Sequence, residues 1–244
     1  MDFFRALSFL TILPCPSPGT VPEDLGRSCA WFPPAGLVIG AMLAAAGAGL
    51  DLLLPPLPSA ALLAVLWALL TRGLHLDGLA DTFDGLGGGR DAPSRLAIMK
   101  DSRLGTFGGI ALAGALMTKT ALLAALPGPA GISALLAAPA AGRWAMLFSM
   151  HFFPAARPGG MGDLFKKGCT RGRLILGSLW AALILAAAGG TGGAIALAAV
   201  PLFTLAFSRM TARLLGGLTG DSYGAVCELS EILVLCIFAF PAVK

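Results

Sequence analysis

Apolar residues in this chain come in long unbroken runs, not in the alternation of a half-buried strand or the three-and-four spacing of a surface helix. A helix needs roughly 20 mostly apolar residues to cross a bilayer, and segments of about that size follow one another along the chain. The first is Ala35–Leu54, ended by Pro55-Pro56; the second is Ser59–Leu76, which runs straight on into an acidic stretch. The third is Thr106–Leu126, closed by Pro127-Gly128-Pro129, and the fourth is Gly131–Phe153, which Pro139 kinks. Leu174–Ala188 and Ala194–Leu215 are the fifth and sixth, linked by GGTGG. A last helix carries Asp221–Glu231 near its start and runs on through Ile232–Phe240. The N-terminal run Phe3–Leu13 is too short to span and is expected to lie at the interface. It lacks the basic flank and the cleavage site of a signal peptide and is expected to be retained. A loop at Pro14, Pro16, Pro18 and Pro22 follows, and Glu23-Asp24 open a short amphipathic segment to Phe32. The expected fold is therefore all-α: a single domain over residues 1–244 forming a polytopic transmembrane helical bundle, with about seven spans and an N-terminal interfacial helix.

Composition agrees. Of the 244 residues 57% are hydrophobic and only 12% charged, with a mean hydropathy of +0.83, too apolar to cover a water-facing surface. The 33 glycines favour close helix–helix approach in lipid. The net charge of +4 does not point to nucleic acid, because no basic patch interleaved with aromatics is present. Cys15, Cys29, Cys169, Cys227 and Cys236 form no CxxC pair and read as reduced packing residues.

The basic residues instead orient the bundle. Arg5 and Arg27 precede the first span, Arg72, Arg90, Arg95, Lys100 and Arg103 lie between the second and third, and Arg157, Lys166, Lys167, Arg171 and Arg173 between the fourth and fifth. Arg209 and Arg213 end the sixth, whereas the loops Pro55–Pro58, Pro127–Pro129 and Gly189–Gly193 have no Lys or Arg. Every basic loop falls on one side, which the positive-inside rule makes cytoplasmic. The expected location is a bacterial-type cytoplasmic (inner) membrane, with any active site on the cytoplasmic face.

The acidic stretch Leu74–Gly108 lies on that face. On a helix, Asp77, Asp81 and Asp84 at i, i+4 and i+7 share one side. Carboxylates so close repel unless a cation intervenes, and an oxygen-only set suits Mg²⁺ or Mn²⁺. Near the C-terminus Asp221, Glu228 and Glu231 again fall close to one helix face, after a flexible lead-in at Gly216, Gly217 and Gly220. Acidic patches with flanking Arg and Lys suit a metal-carried phosphate ester, with Arg90, Lys100 or Arg103 neutralising the leaving group. Lys119 and Arg143 lie within spans, where charge is costly and faces a polar cavity or a carboxylate; both are expected to be drawn to an anionic substrate or to the Asp cluster. His75 adjoins the acids and is a candidate for metal or substrate contact. No P-loop or dinucleotide fingerprint competes, and Ser102 has no His partner for nucleophilic catalysis.

These blocks together resemble a known family, cobalamin synthase (adenosylcobinamide-GDP ribazoletransferase). The resemblance rests on LHLDGLADTFDGL, KDSRLGTFG and TGDSYGAVCELSE, with FLTILP and GRWAM, in the family's order and over essentially the whole chain. It implies a Mg²⁺-dependent membrane enzyme that joins adenosylcobinamide-GDP to α-ribazole or α-ribazole 5′-phosphate and releases GMP. It carries the family's acidic motif onto Asp77, Asp81 and Asp84, its DSR block onto Asp101, Ser102 and Arg103, and its C-terminal acids onto Asp221, Glu228 and Glu231. The expected metal ligands are Asp77, Asp81 and Asp84, with Asp84, Lys100, Asp101 and Arg103 as catalytic groups. The expected substrate contacts are His75, Arg90, Ser102, Lys119, Arg143, Asp221, Glu228 and Glu231. Membrane lipid is an expected partner, and a homo-oligomer or contact with other cobalamin-assembly enzymes would be compatible. One departure lies in GLGGGRDAPSR, where Pro93 is expected to shorten any helix.

Two other readings fit less well. Asp81-x-x-Asp84-Gly85 resembles the opening of the CDP-alcohol phosphotransferase motif, but the Arg comes one residue late and the continuing acids are missing. A transporter would place its binding groups near the midplane in repeated halves, and no internal repeat is visible.

Overall fold

The computed structural model describes residues 1–16, 26–126, 128–157 and 159–240. Among them the chain forms helices α1 (Asp2–Leu10), α2 (Phe32–Leu50), α3 (Pro56–Leu70), α4 (Leu74–Gly88), α5 (Ala92–Ile98) and α6 (Thr106–Ala124). The second half adds α7 (Gly128–Phe152), α8 (Met161–Gly168), α9 (Arg171–Ala188), α10 (Gly190–Leu215) and α11 (Gly220–Ala239). No strand of a sheet occurs among the described residues, only an isolated bridge between Ala155 and Leu218. Six helices, counting Gly26–Leu50 as one, are long and apolar enough to cross a membrane, and the bent pair α3–α4 brings the number to seven. The expected all-α, multi-pass membrane bundle is what the chain forms. Pro18, Pro22, Glu23, Asp24 and Pro127 lie outside the described residues; a 3-10 turn at Cys29–Trp31 leads into α2. All five cysteines are free.

Helices α7 and α11 are the bundle's centre: 72% of each apolar window is buried, against 22% in α6 and α9. The outer helices turn large apolar side chains such as Ile110, Met117, Leu179 and Leu183 outward. Helix α2 lies tight on α7 through Gly36 and Gly40, where a Cβ would run into the carbonyls of Pro139 and Leu135. Small residues spaced by four let two helix backbones touch. Packing follows three buried clusters. One, around Leu135, Val200 and Phe238, contains the loop ends without basic residues. A middle cluster surrounds Leu79, Ala145 and Val226. The last, around Leu10, Phe32, Met150, Phe165 and Tyr223, gathers α1 and α8 at the basic-loop end. Helix α1 buries Ala6, Leu7 and Leu10 there.

Two expectations are corrected. The second span does not continue into the acidic stretch: Arg72 (φ 56°) and Gly73 (φ 66°) are left-handed, and α3 and α4 meet at 90°. Consecutive left-handed residues end a helix, so the acids are carried on a separate helix that leaves the line of α3. Pro93, in turn, does not cut α5 short. It sits in the first turn, where no intrahelical N–H is needed, behind an Asp91–Ser94 capping box.

Candidate active site

The two acidic motifs meet because each contains a glycine where the other helix touches it. A Cβ on Gly78 would lie 2.7 Å from the carbonyl oxygen of Asp221, and one on Gly224 would lie 3.0 Å from that of His75. Helices α4 and α11 therefore approach at backbone distance, and Asp77 and Asp81 come beside Asp221. Asp81 lies in the field of Asp221, Asp77 and Asp84, with Arg157 as the opposing charge. A Thr219–Ser222 capping box starts α11, and the Thr219 hydroxyl donates to Asp221 Oδ2 at 3.2 Å. Gly78→Ala must push the helices apart by some tenths of an ångström. A misplacement near 1 Å costs roughly 100-fold in rate, and a loss of tenfold or more in kcat, with folded protein still recovered, is expected from steady-state kinetics. An unchanged kcat would mean that the close approach does not matter.

Arg157 is the group that sequence reasoning passed over. It comes from the loop after α7, which pairs with the lead-in to α11: Leu218 N–H donates to Pro154 O at 2.8 Å and Ala156 N–H to Leu218 O at 2.9 Å. That pairing brings the guanidinium within the field of both Asp81 and Asp221, while it also donates to Leu96 O. In sequence Arg157 is one of five basic residues in a polar loop, and nothing local singles it out.

Asp84, the third of the expected metal ligands, is engaged with backbone amides. Its oxygens accept the amides of Gly105, at 2.7 Å, and Gly108, at 2.8 Å, and the residue is 7% exposed. Helix α6 has no side-chain cap of its own; Asp84 provides it from another helix, satisfying amides that would otherwise be orphaned. Glycine is needed at both positions because a Cβ on either would strike the carboxylate. The i, i+4, i+7 trio thus divides: Asp77 and Asp81 face Asp221, and Asp84 holds the DSR loop. Among the described residues no three His, Cys, Asp or Glu side chains converge closely enough to hold a metal by themselves.

Beside Asp84 an open cleft of about 490 Å³ is lined by Asp101 and Arg103. Arg103 grips Asp101 with two nitrogens, Nε to Oδ1 at 3.0 Å and Nη2 to Oδ2 at 2.5 Å. That bonding holds the Asp101 carboxyl down at about 2, below its usual value near 4. The sign follows directly: a depressed carboxyl contributes fully above its unfolded pKa and is lost as pH falls towards 2. A ¹³C carboxyl titration of Asp101 is expected to show its midpoint near 2; a midpoint near 4 would remove the pairing from solution. Arg90, Lys100 and Ser102 are exposed around this region, and Arg90 N–H donates to Ser94 Oγ at 3.1 Å.

The span cations find carboxylates, though not the ones expected. Lys119 Nζ donates to Glu228 Oε2 at 2.7 Å and to Glu231 Oε2 at 2.5 Å. Arg143 pairs with Glu231 Oε1 and approaches His75 Nδ1 at 3.3 Å, and Lys119 also lies 4.1 Å over the Trp67 ring. Lys119, Arg143, Glu228, Glu231 and His75 are all at most 3% exposed. The four charged groups expected as substrate contacts lie instead against one another: two cations and two carboxylates neutralise one another inside the bundle and join α6, α7 and α11. His75 also borders a cavity, described below.

Comparison with known proteins gives this geometry its context. The family model for cobalamin-5-phosphate synthase matches residues 2–239. The chain belongs to this family. An adenosylcobinamide-GDP ribazoletransferase of Roseiflexus sp. (strain RS-1) is 44% identical over 239 residues, 98% of this chain and 89% of the relative. Proteins of the same name from Desulfitobacterium hafniense (strain Y51), 43% identical over 97% of this chain and 95% of theirs, and Pseudomonas fluorescens (strain Pf-5), 44% identical over 96% and 97%, are similar throughout. No solved structure matches.

Proposed function

We infer that the chain is an adenosylcobinamide-GDP ribazoletransferase. It transfers the adenosylcobinamide phosphate of adenosylcobinamide-GDP to α-ribazole or α-ribazole 5′-phosphate, releases GMP, and thereby completes the nucleotide loop of cobalamin. The observation that carries this reading is the agreement, over nearly the full length of both partners, with relatives of that name; the junction of Asp77 and Asp81 with Asp221 supplies the place.

Mg²⁺ normally takes only one or two protein carboxylates and fills its shell with water and substrate phosphate oxygens. Asp77, Asp81 and Asp221 are an oxygen-only set from which one or two carboxylates would hold it, with water and phosphate oxygens completing its shell. When bound, Mg²⁺ would offset the negative charge of the substrate's diphosphate. A ring hydroxyl oxygen of the ribazole ribose, free in both α-ribazole and its 5′-phosphate, bonds to the cobinamide-side phosphorus as the bond from that phosphorus to the bridging oxygen breaks. The bridging oxygen leaves with GMP, and the hydroxyl proton passes to one of the three carboxylates. Arg157 supplies fixed positive charge where the phosphates must sit against these acids, and Lys100 and Arg103 lie on an exposed loop able to meet the departing GMP. The one-sided Lys and Arg distribution supports a site on the cytoplasmic face of an inner membrane.

The test is direct. Purified protein in lipid, given adenosylcobinamide-GDP, α-ribazole and Mg²⁺, is expected to form GMP and cobalamin together, and to stop when Mg²⁺ is chelated. A folded sample that forms neither would overturn the reading.

A further inference from the structure

A cavity of about 240 Å³ adjoins the acid junction. Phe9, Met146, Met150 and Phe165 make its apolar walls, and Phe9 and Phe165 stand 4.8 Å apart between ring centres. Asp77 and Asp221 belong to the same lining, so whatever sits here reaches the reaction site. Complete small-molecule sites are usually about 300–1,000 Å³. This one is too small for a corrinoid and large enough for a single ring system.

Two polar side chains in the lining have unused groups. His75 and Tyr223 are each 1% exposed, yet His75 Nε2 and the Tyr223 hydroxyl have no hydrogen-bond partner among the described residues. An arginine can only donate, so His75 Nδ1 accepts from Arg143, and the ring proton therefore sits on Nε2. Two buried, idle donors thus belong to residues that border the cavity, among phenylalanines and methionines. Leaving such a group unpaired is costly, and a ligand with a matching acceptor removes that cost. Guanine is a poor match, because its several donors and acceptors would meet mostly hydrocarbon. A benzimidazole ring is a good one: flat, apolar, favourable beside Phe and Met sulfur, and left with one acceptor nitrogen once the other bears the ribose.

We propose that this cavity seats the benzimidazole-type base of the ribazole substrate. Tyr223 donates to its free ring nitrogen, and Asp77 and Asp221 accept from the ribose hydroxyls. The assignment rests on the transferase reading and adds to it the subsite for the accepting nucleoside.

The test uses the full chain in lipid nanodiscs, titrated calorimetrically with α-ribazole and, separately, with adenosylcobinamide-GDP. Wild type is expected to bind both. Met146→Trp fills the cavity and is expected to weaken α-ribazole at least tenfold while leaving the corrinoid substrate unchanged. Tyr223→Phe removes only an idle hydroxyl, leaves the fold intact, and is expected to weaken α-ribazole about 3- to 10-fold, the worth of one hydrogen bond; it decides the matter should Met146→Trp not fold. Unchanged α-ribazole binding in Tyr223→Phe and in any folded Met146→Trp overturns the proposal, as does selective loss of the GDP substrate. Transfer by the same wild-type sample separates the two levels. Turnover with unchanged binding in the variants removes the base from this cavity and leaves the transferase reading standing, whereas no turnover removes that reading and the subsite with it.

Discussion

Glu231→Gln is expected to destabilise the protein by about 3–5 kcal/mol, the usual cost of stripping one partner from a buried ion pair. Glu231 is the hinge of the charged centre: one oxygen meets Lys119 and the other Arg143, and none of the three is more than 3% exposed. With glutamine there, two buried cations remain and only Glu228 opposes them, in a bundle whose surroundings are apolar. Thermal unfolding in detergent, read as the fraction of monodisperse protein surviving heating, should drop sharply. Glu228→Gln is expected to cost less, because Glu228 meets Lys119 alone and Glu231 still holds both cations. Combining Glu228→Gln with Lys119→Met restores neutrality and should recover part of the loss, a coupling that a double-mutant cycle measures. Survival of Glu231→Gln equal to wild type would show that the network does not hold the bundle together.

That centre also shows where a single sequence stops being informative. The spans were readable because apolar run length is a local property, and Thr106–Ala124 or Gly220–Ala239 differ from expectation by only a few residues at their ends. That Lys119 and Arg143 would find carboxylates was also readable, since the cost of bare charge in a span is general. Which carboxylates was not: Lys119 and Glu228 are 109 residues apart, and the nearer acids were the natural guess. The helix break at Arg72 was hidden for a different reason. Arginine rarely takes a left-handed conformation, so nothing in TRG forecasts a 90° turn. Arg157 and Tyr223 depend on tertiary placement too, the first through the Ala155–Leu218 bridge and the second through the wall it shares with His75.

Asp81 and Asp84 look equivalent in LADTFDG, and their asparagine variants are expected to fail in different ways. Asp81 faces Asp221 and Arg157 and caps no helix, so Asp81→Asn removes charge from the site without loosening the fold. Turnover should fall by roughly 10²–10³-fold, the scale of losing one preorganised electrostatic group, with thermal stability within about 0.5 kcal/mol of wild type. Asp84 holds the amides of Gly105 and Gly108 with its two oxygens. In Asp84→Asn the new side chain keeps one acceptor and turns an NH₂ donor towards the other amide, leaving a nearly buried N–H opposed to a donor; the loss is about 1–3 kcal/mol. Its damage should appear first in stability and in proteolysis of the Lys100–Leu104 loop, and in turnover only as that loop loosens. Because the trio lies on one helix, a shared metal-binding role would give both variants the same phenotype: lost turnover on an intact fold. Finding that common phenotype would return Asp84 to the metal site; finding the split would show that the same carboxylate spacing serves catalysis at one position and helix capping at the next.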